Sequence, residues 1–158
     1  LKTSVLLAAA LKIGACLAGA PAEDAQKLYD FGVKVGLAFQ LQDDWLDVYG
    51  DPKVFGKNIG GDILCNKKTY MLITALEQAD ARQREELEKW LAAKHCEPAE
   101  KIAAVTALYD EIGVGKMCQA KAEALHAEGF AVLDSIALPE ERKQVLRKYA
   151  CSMLNRNV

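Results

Sequence analysis

The sequence has no marked excess of either charge: 20 Lys+Arg stand against 22 Asp+Glu, a formal net charge of −2 at pH 7. A general nucleic-acid binder carries a basic surplus, so that class is excluded. There is no C-x-x-C pair, and the five cysteines (Cys16, Cys65, Cys96, Cys118, Cys151) are scattered and odd in number. That excludes a disulfide framework and a zinc site, and reads as reduced thiols in a cytoplasmic protein. Long apolar runs are missing too. The longest, residues 5–11, is far shorter than a bilayer span, and no cleavage-site pattern of a secretory leader follows it. Strand-period alternation, internal repeats and low-complexity tracts are absent as well.

What is there is helical. The 158 residues are 51% apolar and 27% charged, enough for one domain whose core needs no covalent staple. Leu6, Leu7, Ala10, Leu11, Gly14 and Leu17 recur at three-to-four spacing until Gly19-Ala20-Pro21 stops the helix. A second helix is predicted over 23–49, with Leu28, Phe31, Val35, Phe39, Leu46 and Val48 apolar, and Gly50-Asp51-Pro52 breaks it. Residues 50 to about 66 read as a glycine-bearing loop. Further helices are predicted over 70–78, from the Asp80 cap through Leu91 with a Glu85–Lys89 pair at i,i+4, from Pro98, from beyond Gly113 and Gly115, and from Pro139. In the last of these Val145, Leu146, Tyr149 and Met153 form the expected apolar stripe. The fold class is all-α, with about six or seven helices.

The chemistry is concentrated in Asp43, Asp44 and Asp47. Positions i, i+1 and i+4 occupy neighbouring lines of one helical face, and Gln40 falls on the same stripe. Carboxylates about 5–6 Å apart repel by roughly 3 kcal/mol at an effective dielectric near 20. Two readings are open: a solvated acidic patch near a helix end, or a seat for a hard divalent cation. Acids near a helix C-terminus oppose the macrodipole, which weakens the first. Oxygen ligands without a neighbouring His or Cys favour Mg²⁺ over zinc, and Mg²⁺ commonly shares phosphate oxygens. Lys53, Lys57, Lys67 and Lys68 follow within a loop's reach, and Lys2 begins the preceding helix, so the cluster suits a diphosphate–Mg²⁺ complex. The spacing around Gly50 and Gly56-Lys57 is wrong for a P-loop and no strand precedes it. Gly113-Val114-Gly115 reads as a helix break, and His95 and His126 lack partners at metal spacing.

The run Gly36-Leu37-Ala38-Phe39-Gln40-Leu41-Gln42-Asp43-Asp44-Trp45-Leu46-Asp47 resembles the second aspartate-rich motif of the trans-isoprenyl diphosphate synthases, the polyprenyl synthetases. Val48-Tyr49-Gly50-Asp51-Pro52, Phe55-Gly56-Lys57, Gly61-Asp62-Ile63 and Asn66-Lys67-Lys68 continue the match in order, and Lys2-Thr3 is similar to the family's lysine–threonine pair. Beyond about Leu76 the likeness is of general character only. The resemblance implies the C-terminal part of an isoprenoid synthase helical bundle: helices before about residue 50, a metal and diphosphate loop over 50–67, and a helical tail over 68–158. It implies Mg²⁺-dependent head-to-tail condensation of an allylic diphosphate with isopentenyl diphosphate. Asp43 would ligate Mg²⁺ directly, with Asp44 and Asp47 supporting through water or lysine. Lys2, Lys57 and Lys67 would hold the allylic diphosphate. The Lys2 carbonyl, Thr3 and Gln40 would face the developing cation, and Phe39 would line the isopentenyl pocket. The family's first aspartate-rich motif and isopentenyl-binding segment are absent from these 158 residues, and Cys65 stands where relatives often have Asp. The expectation is therefore a C-terminal half that is inactive alone and homodimeric when full length. A non-catalytic partner subunit is the alternative reading. A terpene cyclase is disfavoured by Phe39-Gln40 followed by Asp43-Asp44.

Overall fold

A computed structural model describes residues 2–52 and 59–154, with the side chains of Lys2 and Leu154 excepted. Lys57, singled out above, lies outside the described residues. Eight helices stand among the described residues: α1 (Lys2–Leu17), α2 (Ala22–Tyr49), α3 (Gly61–Leu64), α4 (Tyr70–Gln78), α5 (Ala81–Ala92), α6 (Pro98–Ile112), α7 (Val114–Asp134) and α8 (Glu140–Leu154). The count exceeds the expected six or seven because α3 forms inside the segment read as loop. It is a single turn, too short to show a helical period. The chain divides into two compact units, Leu1–Gln42 with Ala120–Asn157, and Asp43–Gln119.

The first unit is built on close helix approach and one apolar cluster. A Cβ added to Gly32 would lie 2.6 Å from the Cα of Ala8, and one added to Gly36 would lie 2.6 Å from the Cα of Ser4. These two contacts make α1 and the first part of α2 antiparallel, with backbones touching where glycine leaves room. Ser4, Ala8 and Ala15 are buried along α1, whereas Leu6 is 75% and Leu17 85% exposed. The expected large-residue stripe of α1 is thus not the packed one: small residues make the contact, and Leu11 packs against the core from its edge. That core holds Phe31, Val35, Leu133, Ile136 and Ala150, with Phe130, Leu146 and Met153 packed against it. In α8 the inward stripe is Leu146, Ala150 and Met153. Val145 and Tyr149, expected beside them, are mainly exposed, because they fall one position off that line. Lys143, nearly buried, donates its Nζ to the carbonyl of Asp134 at 2.9 Å, capping the C-terminal end of α7 with a cation.

In the second unit α6 packs against α3, α4 and α5. Met71, Leu72, Leu87, Val105, Leu108 and Tyr109 are buried there, with Leu46 and Val48 from the end of α2. Local signals place the starts of these helices. The Thr69 hydroxyl accepts the Leu72 N–H at 3.2 Å ahead of α4, Asp80 and Gln83 form a reciprocal capping box ahead of α5, and Pro98 occupies the first turn of α6. On the exposed face of α5, Lys89 pairs with Glu86 at 3.0 Å and not with Glu85, and Arg84 pairs with Glu88 at 3.2 Å. Gly113 alone breaks the chain between α6 and α7. Gly115 is helical, and a Cβ there would lie 2.8 Å from the ring of Tyr49, whose hydroxyl donates to Asp110 at 2.7 Å.

Candidate functional site

The acidic residues occupy the last turns of α2. Asp44 is 6% exposed, while Asp43 and Asp47 are half-buried. A carboxylate as covered as Asp44 needs a compensating charge, and Lys67 supplies it. The Lys67 Nζ lies 3.3 Å from Asp44 Oδ1 and 2.6 Å from Asp62 Oδ2. Burial alone would depress this ammonium, but the hydrogen bond to Asp62 and the charges of Asp44 and Asp62 lift it above the ordinary lysine value. The lysine therefore stays charged at any working pH. An ammonium has three protons; two are engaged by these carboxylates, and the side chain is 47% exposed.

Asp47 performs a different task. Its Oδ2 accepts the Asp62 N–H at 2.9 Å and its main-chain carbonyl accepts the Gly60 N–H at 2.6 Å, so the returning chain is fastened to the end of the acidic helix. Gly60 adopts φ +82°, and an added Cβ would lie 2.6 Å from Cδ1 of Ile102, so both the turn and the packing require glycine. Burial raises the carboxyl of Asp47 above the ordinary aspartate value. The Asp62 N–H opposes that rise, and repulsion from Asp62 and Asp43 adds to it, with Lys67 pulling the other way. Beneath Asp62 lies the buried ring of Tyr109, whose phenol is raised first by burial and then by the Asp62 charge.

The arrangement joins Asp44, Asp47, Asp62 and Lys67 directly. Among the described residues no three His, Cys, Asp or Glu side chains form a ready-made metal cluster. The donor chemistry nevertheless fits Mg²⁺. This ion takes hard oxygens, keeps several waters, and is commonly held by one or two carboxylates together with substrate phosphates. Repulsion by Asp43 and Asp62 on Asp47 is the local excess of negative charge that a cation relieves. Phe39 and Gln40 are half-buried on α2 in the first unit, and Thr3 is exposed in the first turn of α1. The contacts of Gly32 with Ala8 and of Gly36 with Ser4 run toward the start of α1, where Lys2 and Thr3 stand.

The sequence alone gives no role to three residues of this region. Asp62 and Asn66 enter it only as parts of motifs. Asn66 is the one non-glycine residue with positive φ, +50°, among the described residues. Lys101 is 3% exposed. A signal for Lys101 existed: it shares the i, i+4, i+7 line with Val105 and Leu108, which places it on the buried face of α6.

The family model for polyprenyl synthetase matches residues 1–109. A short chain isoprenyl diphosphate synthase of Methanothermobacter thermautotrophicus is 34% identical over 147 residues, covering 93% of this chain and 41% of that protein. Among solved structures, a geranylgeranyl pyrophosphate synthase superimposes with a TM-score of 0.89 at 34% identity, covering 99% of this chain and 49% of that one. A polyprenyl synthetase from Streptomyces coelicolor A3(2) gives a TM-score of 0.88 at 31% identity, with 97% and 47% covered. The chain spans about half the length of these relatives, or slightly less. With an all-helical fold, an acidic helix end and a lysine seated on it, this chain belongs to the polyprenyl synthetase family.

Proposed function

We propose that these residues form the diphosphate-activating part of a prenyl-transferring synthase. The enzyme condenses an allylic diphosphate head-to-tail with isopentenyl diphosphate, giving a longer polyprenyl diphosphate. The observation that carries the reading is the Lys67 ammonium, held between Asp44 and Asp62 at the acidic end of α2. Lys67 stays charged and has one N–H left for a phosphate oxygen, and Lys2 and Lys57 complete the grip on the allylic diphosphate. Asp43 is the direct metal ligand, Asp47 backs it while fixing the turn at Gly60, and Asp44 acts through Lys67. Bound Mg²⁺ supplies charge neutralisation of the departing diphosphate. The carbonyl of Lys2 and the side chains of Thr3 and Gln40 face the cation that develops and take part in directing proton loss, and Phe39 borders the isopentenyl site. Preorganised charge aimed at the leaving group is the term expected to dominate the rate.

The setting we propose is cytoplasmic, with a homodimer for the whole enzyme; among the described residues no helix is long and apolar enough to cross a membrane. Because residues 1–158 contain one aspartate-rich motif, they are expected to give no condensation on their own. The test is Asp43→Ala in the complete enzyme. Turnover should fall by orders of magnitude with unchanged helical circular dichroism, and near-normal turnover would sink the metal assignment. The alternative, a non-catalytic partner subunit, requires that Asp43→Ala and Lys67→Ala leave the activity of the assembled enzyme untouched.

A further inference from the structure

Lys101 is a lysine buried on α6, and such burial is rare unless the ammonium finds a partner. Its Nζ donates to Asn66 Oδ1 at 2.7 Å. The other side of the same amide is also used, because Asn66 Nδ2 donates to the carbonyl of Leu91 at 3.0 Å, near the end of α5. Asn66 thus ties two helices together through one side chain while its backbone sits in the left-handed region. Asparagine tolerates that region better than most residues, but it must still be held there. The next residue in the chain is Lys67. Lys101, Asn66, Lys67, Asp44 and Asp62 line one cavity of about 10 Å³, room for a single water. A second ammonium therefore stands behind the first, linked to it through one asparagine and its peptide bond.

We propose that Lys101 is a positioning residue for diphosphate binding. It pins Asn66 in the left-handed turn, and that turn aims Lys67 at the space between Asp44 and Asp62, where the leaving diphosphate is to be met. Lys101 touches no substrate; it acts through Lys67. The inference rests on the reading of Lys67 as a diphosphate ligand given above.

The experiment is steady-state kinetics of the complete enzyme with both substrates varied, for Lys101→Met, Lys67→Ala and the double variant. Lys101→Met should raise KM for the allylic diphosphate about tenfold or more, as expected when a binding group is displaced by about an ångström. KM for isopentenyl diphosphate should stay within about twofold. In the Lys67→Ala background the same substitution should add nothing, because the group it positions is gone. An unchanged allylic KM in Lys101→Met, an equal rise in both KM values, or effects that multiply in the double variant would each overturn the proposal. If Lys101→Met does not fold, Asn66→Gly keeps the left-handed turn available while removing both side-chain bonds. It should show the same selective rise in allylic KM, and its absence would overturn the proposal. A Lys67→Ala variant with wild-type kinetics would instead refute the diphosphate reading itself, so the two failures are distinguishable.

Discussion

Replacing Gly36 with alanine would set a methyl carbon 2.6 Å from the Cα of Ser4 and 2.8 Å from its Cβ. Non-bonded carbons sit comfortably at about 3.5–4.0 Å, so the α1 and α2 backbones would have to separate by about 1 Å. The neighbouring contact of Gly32 with Ala8, one turn away, opposes that separation. Overpacking of this kind typically costs about 1–3 kcal/mol. Set against it is the gain of about 1 kcal/mol for replacing glycine by alanine in a helix. A net loss of up to about 2 kcal/mol is expected, which for a protein of this size lowers Tm by up to roughly 8 °C. Gly14 supplies the control. It lies in α1, it is exposed, and an added Cβ meets nothing within 4 Å. Gly14→Ala should therefore stabilise by about 0.5–1 kcal/mol from propensity alone. The assay is thermal unfolding of the complete protein followed by circular dichroism, with both variants and wild type side by side. Opposite signs support the close-approach argument. If both variants stabilise equally, the helices are not in backbone contact at Gly36 and the reasoning is wrong.

The cysteines and one histidine give two further tests. Burial pushes the Cys118 thiol up to about 12, with the Asp44 charge adding to it, so in the native protein at pH 8 it should resist alkylation, whereas exposed Cys65 and Cys96 react readily. Mass-spectrometric labelling that finds Cys118 modified as fast as Cys65 would contradict the packing at the start of α7. Burial also holds the His126 imidazole below the ordinary 6.5, its Nε2 has no hydrogen-bond partner, and its ring meets Phe130 edge-on at 4.3 Å. Both folded and unfolded states hold this residue neutral above that value. As the pH falls through 6.5 the unfolded chain takes up the proton first, so stability is lost toward acid. His126→Leu should flatten the fall in urea midpoint between pH 7 and 5, and parallel slopes for the two proteins would refute the assignment.

Much of this molecule is legible in its sequence where local chemistry and global packing agree. Helix α4 runs over the residues its apolar run and flanking breaks delimit, and the starts of α5 and α6 follow from Asp80 and Pro98. The acidic stripe on α2 announces a charge problem, and Lys67 answers it at close range. The failure in α1 arises because periodicity weights residues by size and polarity, not by how near a neighbour can come. In α1 the large leucines outline a stripe, yet Ser4 and Ala8 face Gly36 and Gly32 because only small residues permit that contact. In α8, Val145 and Tyr149 are apolar but lie off the line of Leu146 and Ala150. Lys101 is not legible locally, because a charge on an apolar line ordinarily reads as solvated and its partner Asn66 is 35 positions away. Helix α3 is one turn long and leaves no periodic trace at all.

The double attachment at Asp47 has a consequence for how this family can vary. One residue, by its carbonyl and its carboxylate, fixes both the point where the chain leaves α2 and the point where it returns at Gly60 and Asp62. Closing a chain between two fixed points costs entropy that grows only logarithmically, by about 0.6 kcal/mol for each doubling of length. A change of length between positions 50 and 59 need not move Gly60 or Asp62, since Asp47 holds both. The carboxylates and Lys67 stay in place because the clamp, and not the length of the intervening segment, sets their spacing.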